Sequence, residues 1–232
     1  MNQTPRHRQT LMWTATWPRQ VQGLARDFQN TVIQVNVGSM ELAANSDVHQ
    51  HIVFLEGFEA KCNGLIGGLK DLGAKGHFKV LIVTATKAGA DGVTDFLNRR
   101  KFPADAVHGD KDQRQRERIM NTFKHRDKGI LVATDVAQRG LDIQYLPAVV
   151  NFDFPQQRED YVHRIGRTGR AGKRGDACSF FTSNDAHSAG GLIALLKKAG
   201  QEVPDELDQY SAYGGGYGGG GYGGGRSRYR GR

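Results

Sequence analysis

Gly129-Ile130-Leu131-Val132-Ala133-Thr134-Asp135-Val136-Ala137-Gln138-Arg139-Gly140-Leu141-Asp142 is the stretch that decides the fold. It opens on an uninterrupted apolar, β-branched run and turns abruptly to a hydroxyl, carboxylates, an arginine and a glycine. A run without alternation is what a strand buried on both faces displays, and such strands belong to parallel sheets. Polar residues gathered just after the strand stand where open parallel sheets bind ligands, beyond the carboxyl ends.

Working outward, the same change recurs. Val80–Val83 gives way to Thr84-Ala85-Thr86-Lys87, and Ala106–His108 to Gly109-Asp110, with Gln113 and Arg116 on the next helix. The candidate strands are His51–Glu56, Val80–Thr86, Ala106–His108, Gly129–Thr134, Val149–Phe152 and Ala177–Phe181. Between them Cys62, Leu65, Ile66, Leu69 and Leu72 recur at helical steps, as do Val93, Phe96 and Leu97, then Ile119, Met120 and Phe123. A last helix carries Leu192, Ile193, Leu195 and Leu196. The pattern predicts an α/β fold, a parallel sheet with helices on both faces. Residues 48–200 form its domain, and a chain of about 150 residues buries about 70% of its unfolded surface.

The residues before it do not belong to that core. Leu11–Thr16 and Thr31–Val37 read as strands and Arg19–Phe28 as a helix, too few elements for a core of their own. Residues 1–38 are therefore expected to be the end of a domain whose earlier part is missing, and 39–47 a linker. Trp13, Trp17, Leu24 and Phe28 would then lack their native cover.

Composition narrows the classes. The chain has 232 residues and a net charge of +8. Residues 201–232 read as a linker and a disordered tail, since Tyr213–Arg232 is Gly, Tyr and Arg almost throughout and cannot bury a core. Before Asp208 the chain holds 28 basic and 23 acidic residues, so the folded part is only mildly basic and the tail adds a concentrated cationic patch. Such a balance suits a polyanionic partner. Cys62 and Cys178 lie far apart with no CxxC pair, so neither a zinc site nor a disulfide scaffold is expected, and a reducing compartment is. No apolar run approaches the ~20 residues of a membrane span, and no signal-peptide core opens the chain; the expectation is an intracellular protein with no membrane contact.

The sharpest motif is His163-Arg164-Ile165-Gly166-Arg167-Thr168-Gly169-Arg170. Arginines three apart on a helical turn project from neighbouring positions. Their guanidinium forks match phosphate oxygens, and Gly166 and Gly169 are read as clearing bulk so that a large anion can approach the backbone.

In sequence order, Thr14-Ala15-Thr16, Thr86-Lys87, Gln113-x-x-Arg116, Ala133-Thr134-Asp135 to Arg139-Gly140-Leu141-Asp142, Asn151-Phe152-Asp153-Phe154-Pro155 and His163 to Arg170 resemble the motif series of the DEAD-box RNA helicases. The resemblance covers Arg8 to about Gly200. It implies the end of a first RecA-like lobe, the interlobe linker and a complete second RecA-like lobe; the Gly/Arg-rich tail resembles those of family members too. By resemblance, Arg167 and Arg170 reach the γ-phosphate of ATP, with His163 beside them, and Asp142 meets the ribose. Thr86, Gly109, Gln113, Arg116, Thr134, Arg139 and Gly140 engage or position the RNA backbone. Thr14, Thr16 and His163 couple hydrolysis to RNA across the lobes. The implied partners are RNA, bound largely without sequence preference, the missing first lobe and protein regulators of the second. The implied location is the nucleus, the cytoplasm or both.

Three residues depart from the family pattern: Thr14 for a serine, Val83 for a phenylalanine and Gln138 for a small residue. A larger departure is that no GxxxxGK[ST] occurs in the sequence, nor any adenine-reading segment. Asp205-Glu206-Leu207-Asp208 has the letters of the magnesium-binding motif but comes after Pro204 rather than an apolar strand, and it is read as coincidence. ATP and Mg2+ are thus expected only together with the missing lobe, and the chain alone is expected to be inactive. The alternatives are a non-catalytic RNA- or partner-binding module arising by natural truncation, and a DNA helicase of a related superfamily. The pairing of Thr14-Ala15-Thr16 with the His163–Arg170 motif argues against the latter.

Overall fold

The computed structural model describes residues 4–5, 7–14, 17, 19–29, 31–36, 43–139, 146–170 and 172–214. They divide into two units, one ending at Ala43 and one beginning at Ala44. The first contains a single helix, α1 (Arg19–Phe28). The expected strands do not form over the described parts of 11–16 and 31–37. Residues 33–36 alternate apolar and polar as a strand would, but a strand needs a neighbour to pair with. Ile33 is 92% exposed and Trp13 81%.

The second unit is built on a six-stranded sheet. Its elements run β1 (Val48–Phe54), α2 (Gly57–Ala74), β2 (Lys79–Thr84), α3 (Lys87–Arg99), β3 (Ala104–Val107), α4 (Gln113–His125), β4 (Gly129–Thr134), α5 (Asp135–Arg139), β5 (Ala148–Asn151), α6 (Arg158–Ile165) and β6 (Gly175–Phe181). A 3₁₀ turn at Ser183–Ser188, α7 (Ala189–Lys198) and α8 (Asp205–Gly214) complete it. The strand order is β1-β6-β5-β2-β4-β3, and every pairing is parallel.

Each of the six strands expected in this unit forms, Gly129–Thr134 with the expected bounds and the others with ends shifted by up to three residues. Every residue of β4 is buried, and so is all of β2 after Lys79. Successive side chains go to opposite faces. Val80, Ile82, Ile130 and Val132 meet Leu65, Leu69 and Leu72 of α2 and Val93 and Leu97 of α3. Leu81, Val83, Leu131 and Ala133 pack on the other side with Phe123 of α4 and Leu146.

Helix starts are set locally. Thr86 caps α3, its Oγ1 accepting from Gly89 N at 2.9 Å. Asp112 and Gln115 close a reciprocal capping box on α4. The segment after Gly200, expected to be a linker, instead contains α8. Leu207 is fully buried, and the Tyr210 ring stacks on Phe54 with centroids 5.7 Å apart.

Candidate functional site

The carboxyl ends of β2, β4 and β5 converge, and one buried cation ties them together. Arg164 on α6 is 2% exposed. Its Nε and one terminal nitrogen donate to the two carboxylate oxygens of Asp135 at 2.7 and 2.6 Å, a bidentate fork. The other terminal nitrogen donates to the Asp153 backbone oxygen at 2.6 Å and reaches Asn151 Oδ1 at 3.5 Å. Asp153 is held in turn: Oδ1 accepts from Lys61 Nζ of α2 at 3.0 Å and Oδ2 from Ala85 N, just past β2, at 2.9 Å. Asn151 donates to Ser179 Oγ on β6 at 2.8 Å. Three strand ends and two helices are thereby locked to one guanidinium.

That lock positions the turn beyond Arg164. The chain reverses at Gly166–Gly169, with Arg167 N donating to Arg164 O and Thr168 N to Ile165 O, both at 3.1 Å. Arg167 and Arg170 are half-buried, and Arg170 Nε donates to Gly166 O at 2.7 Å. His163 is half-buried in the last turn of α6. The fold itself demands a glycine at position 169. A Cβ on Gly169 would lie 2.5 Å from Val48 Cγ2, and its φ of +66° is left-handed. A Cβ on Gly166 would meet Val162 O at 3.0 Å. At Gly169 the missing side chain makes room for Val48.

Of the remaining expected residues, Thr86, Gly109, Gln113, Arg116 and Thr134 follow or end strands on the same side of the sheet. Thr134 is buried at the end of β4. Thr86 serves first as the α3 cap, so its acceptor oxygen is engaged by the helix. Gly109 lies in the turn after β3, where Lys87 pairs with Asp110 and joins two rim loops. Gln113 and Arg116 lie one turn apart on α4, with Gln113 Nε2 donating to Glu117 Oε1 at 2.7 Å. Thr14 is exposed. Thr16, Gly140, Asp142 and the tail from residue 215 lie outside the described residues, and Arg139 is described only as the last backbone position of α5.

Mg2+ does not fit the acidic residues that mimic its motif. Asp205, Glu206 and Asp208 occupy the first turn of α8, with Leu207 between them in the core, not the end of a strand. Sequence reasoning missed Arg164, Asp135, Asp153 and Lys61 as a set. Three of these stand inside quoted motifs, but their partners are 11 to 92 residues apart.

The six-stranded parallel sheet with helices on both faces is that of a RecA-like lobe. The conserved C-terminal domain of helicases matches residues 61–172. The ATP-dependent RNA helicase DBP2 of Candida glabrata is 47% identical over 219 residues, covering 91% of this chain and 40% of that protein. Among solved structures, the yeast DEAD-box splicing factor Prp28 aligns with a TM-score of 0.65 at 29% identity, covering 88% of this chain and 45% of that one. Prp28 from Chaetomium thermophilum bound to ADP aligns at 0.59 with 30% identity, covering 89% and 49%. The chain belongs to the DEAD-box RNA helicase family and carries its C-terminal lobe. It spans about 40% of the length of the curated relatives it matches.

Proposed function

We propose that this chain acts as the second lobe of an ATP-driven RNA-remodelling enzyme, presenting Arg167 and Arg170 to a γ-phosphate held on a first lobe. The observation that carries the reading is the Arg164 lock, which fixes the arginine-bearing turn to three strand ends through a residue other than Arg167 and Arg170. ATP supplies the phosphoryl group, and Mg2+ is held by the first lobe. A guanidinium donates to the phosphate oxygens as charge develops there and keeps its own charge throughout. Such an arginine is worth about 10³–10⁵ in rate, or about 4–7 kcal/mol. His163, with Thr14 and Thr16, couples that step to RNA, and Asp142 orients the ribose.

RNA lies along the same rim, on Thr86, Gly109, Gln113, Arg116 and Thr134, with Arg139 and Gly140 completing the RNA-binding set. These groups read phosphates and 2′-hydroxyls, so binding is largely independent of sequence. In the tail, tyrosines stack on unpaired bases and Arg226, Arg228, Arg230 and Arg232 neutralise phosphates. Deleting residues 215–232 removes four arginines, and the slope of log affinity against log salt should fall by about 3 on single-stranded RNA. An unchanged slope rejects that role for the tail.

The test is RNA-stimulated ATP hydrolysis by the chain alone and joined to a DEAD-box first lobe that carries GxxxxGK[ST]. Turnover only in the joined protein, reduced at least about 10³-fold by Arg170→Ala, is the expected result. Turnover by the chain alone that Arg170→Ala abolishes would overturn the half-site reading.

A further inference from the structure

The opposite end of the sheet carries a side-chain cluster that has no part in the rim chemistry. β1 is an edge strand, and His49 and His51, two residues apart on it, leave by the same face. Parallel pairing sets His49 opposite Asp176 of β6, and the turn after α2 brings Lys75 and His77 to the same carboxylate. Asp176 Oδ1 lies 3.6 Å from His49 Nδ1, 3.5 Å from His51 Nε2 and 3.0 Å from Lys75 Nζ. Asp176 Oδ2 lies 3.0 Å from His77 Nε2.

This arrangement differs from a set of ordinary ion pairs. One ligand atom from each of His49, His51 and Asp176 falls within 4.8 Å of the other two. Donors around a tetrahedral zinc, with bonds of about 2.0–2.2 Å, are separated by about 3.4 Å, close to the two imidazole–carboxylate distances. His51 Nε2 is enclosed, with Asp176 Oδ1 3.5 Å away. The His49 and His51 rings meet edge-on at 84° with centroids 4.1 Å apart.

We propose that His49, His51 and Asp176 form a binding site for an imidazole-preferring divalent cation, best matched by Zn2+, clipping the edge strand β1 to β6. His77 holds the second carboxylate oxygen and so aims Oδ1 at the site, as outer partners of metal ligands do. Lys75 is the competitor: its ammonium sits on the oxygen the cation uses and must swing away. The absence of paired cysteines does not bear on this site, because none of its ligands is a cysteine.

The test is calorimetric titration of the untagged 232-residue chain with Zn2+ at neutral pH, with the visible absorption of Co2+ as a second readout. One equivalent should bind. His51→Gln and the double variant His49→Gln/His51→Gln should each weaken binding at least tenfold, and His77→Gln by less. Lys75→Met should tighten it several-fold, a gain that capture by a lone histidine would not give. His125→Gln, on exposed α4 surface, should change nothing. The histidine variants alter partly exposed side chains, so circular dichroism should report an intact fold. No saturable binding at one equivalent, or equal binding by the double variant, overturns the proposal.

Discussion

The two ends of one sheet solve opposite electrostatic problems. At the carboxyl rim a buried cation, Arg164, is surrounded by acceptors. At the other end a nearly buried anion, Asp176, is surrounded by donors. The partners differ in kind. Around Arg164 the acceptors are the short side chain of Asp135 and a backbone carbonyl, so a single geometry satisfies the fork. Around Asp176 the donors are a long lysine and three titratable rings, each able to leave. A charge in the first setting is architecture, and one in the second is a site whose occupant can change.

The comparison breaks most readily at Arg164. Arg164→Ala leaves Asp135, 29% exposed, without its fork and frees the Asp153 carbonyl; breaking a fully buried pair costs about 3–5 kcal/mol, and the partial hydration of Asp135 brings the expected loss to about 2–3 kcal/mol. Urea denaturation measures it. Arg164→Lys should recover less than half, since an ammonium cannot bridge both carboxylate oxygens in a plane. A loss below about 1 kcal/mol would place Arg164 with ordinary surface pairs and remove the contrast between the two ends.

A smaller effect tests whether α6 depends on Arg164 alone. Tyr161, one turn earlier, is 1% exposed, and its hydroxyl donates to Gln50 Oε1 on β1 at 2.9 Å. Burial pushes that phenol well above its ordinary value, so it stays a donor at any working pH. Tyr161→Phe should cost about 1–2 kcal/mol by leaving a buried acceptor unmet. It should add to Arg164→Lys if α6 is held independently at its two ends, and a double-mutant cycle checks this.

How much the sequence made legible depends on how locally each feature is encoded. β2 and β4 are continuous apolar runs, and their burial on both faces could be read directly. β1 was expected to begin at His51 but begins at Val48, because His49 and Gln50 are polar. Pairing to β6 and the bonds from Gln50 to Gln201 and Tyr161 carry the strand through them. α8 was missed because Pro204 and its acids resemble a linker, although Leu207 and Tyr210 already stood at helical spacing. Motif order gave the rim, yet the carboxylates that hold Arg164 are not neighbours in sequence, and no local pattern encodes their meeting. The strands expected before residue 38 do not form over the described residues for the converse reason: a local apolar pattern cannot make a strand without a neighbour, and none is found among the described residues.

The smallest expected effect lies between the two extremes, at Asp91 on α3. Its Oδ1 accepts from His108 Nε2 at 3.1 Å and lies 3.5 Å from Lys111 Nζ. His108 is almost wholly buried, whereas the Asp91 side chain is half exposed. Burial alone would raise the Asp91 carboxyl. The hydrogen bond and charge of His108, and after them Lys111, outweigh that and bring it below the ordinary value. A lowered carboxyl binds its proton less readily when folded than when unfolded, so stability is contributed above the unfolded value of about 3.9 and lost as pH falls through the folded one. Asp91→Asn keeps an oxygen for His108 and removes only the charge. It should cost under about 1 kcal/mol at pH 7, less in 1 M salt, and the difference from wild type should begin to shrink as pH falls below about 4 and vanish only below the lowered folded value. Denaturation midpoints across pH and salt check this. A difference that persists in acid would mean that Asp91 acts through geometry, as Arg164 does, and the line between architecture and exchangeable site would then have to be drawn by hydrogen bonds and not by exposure.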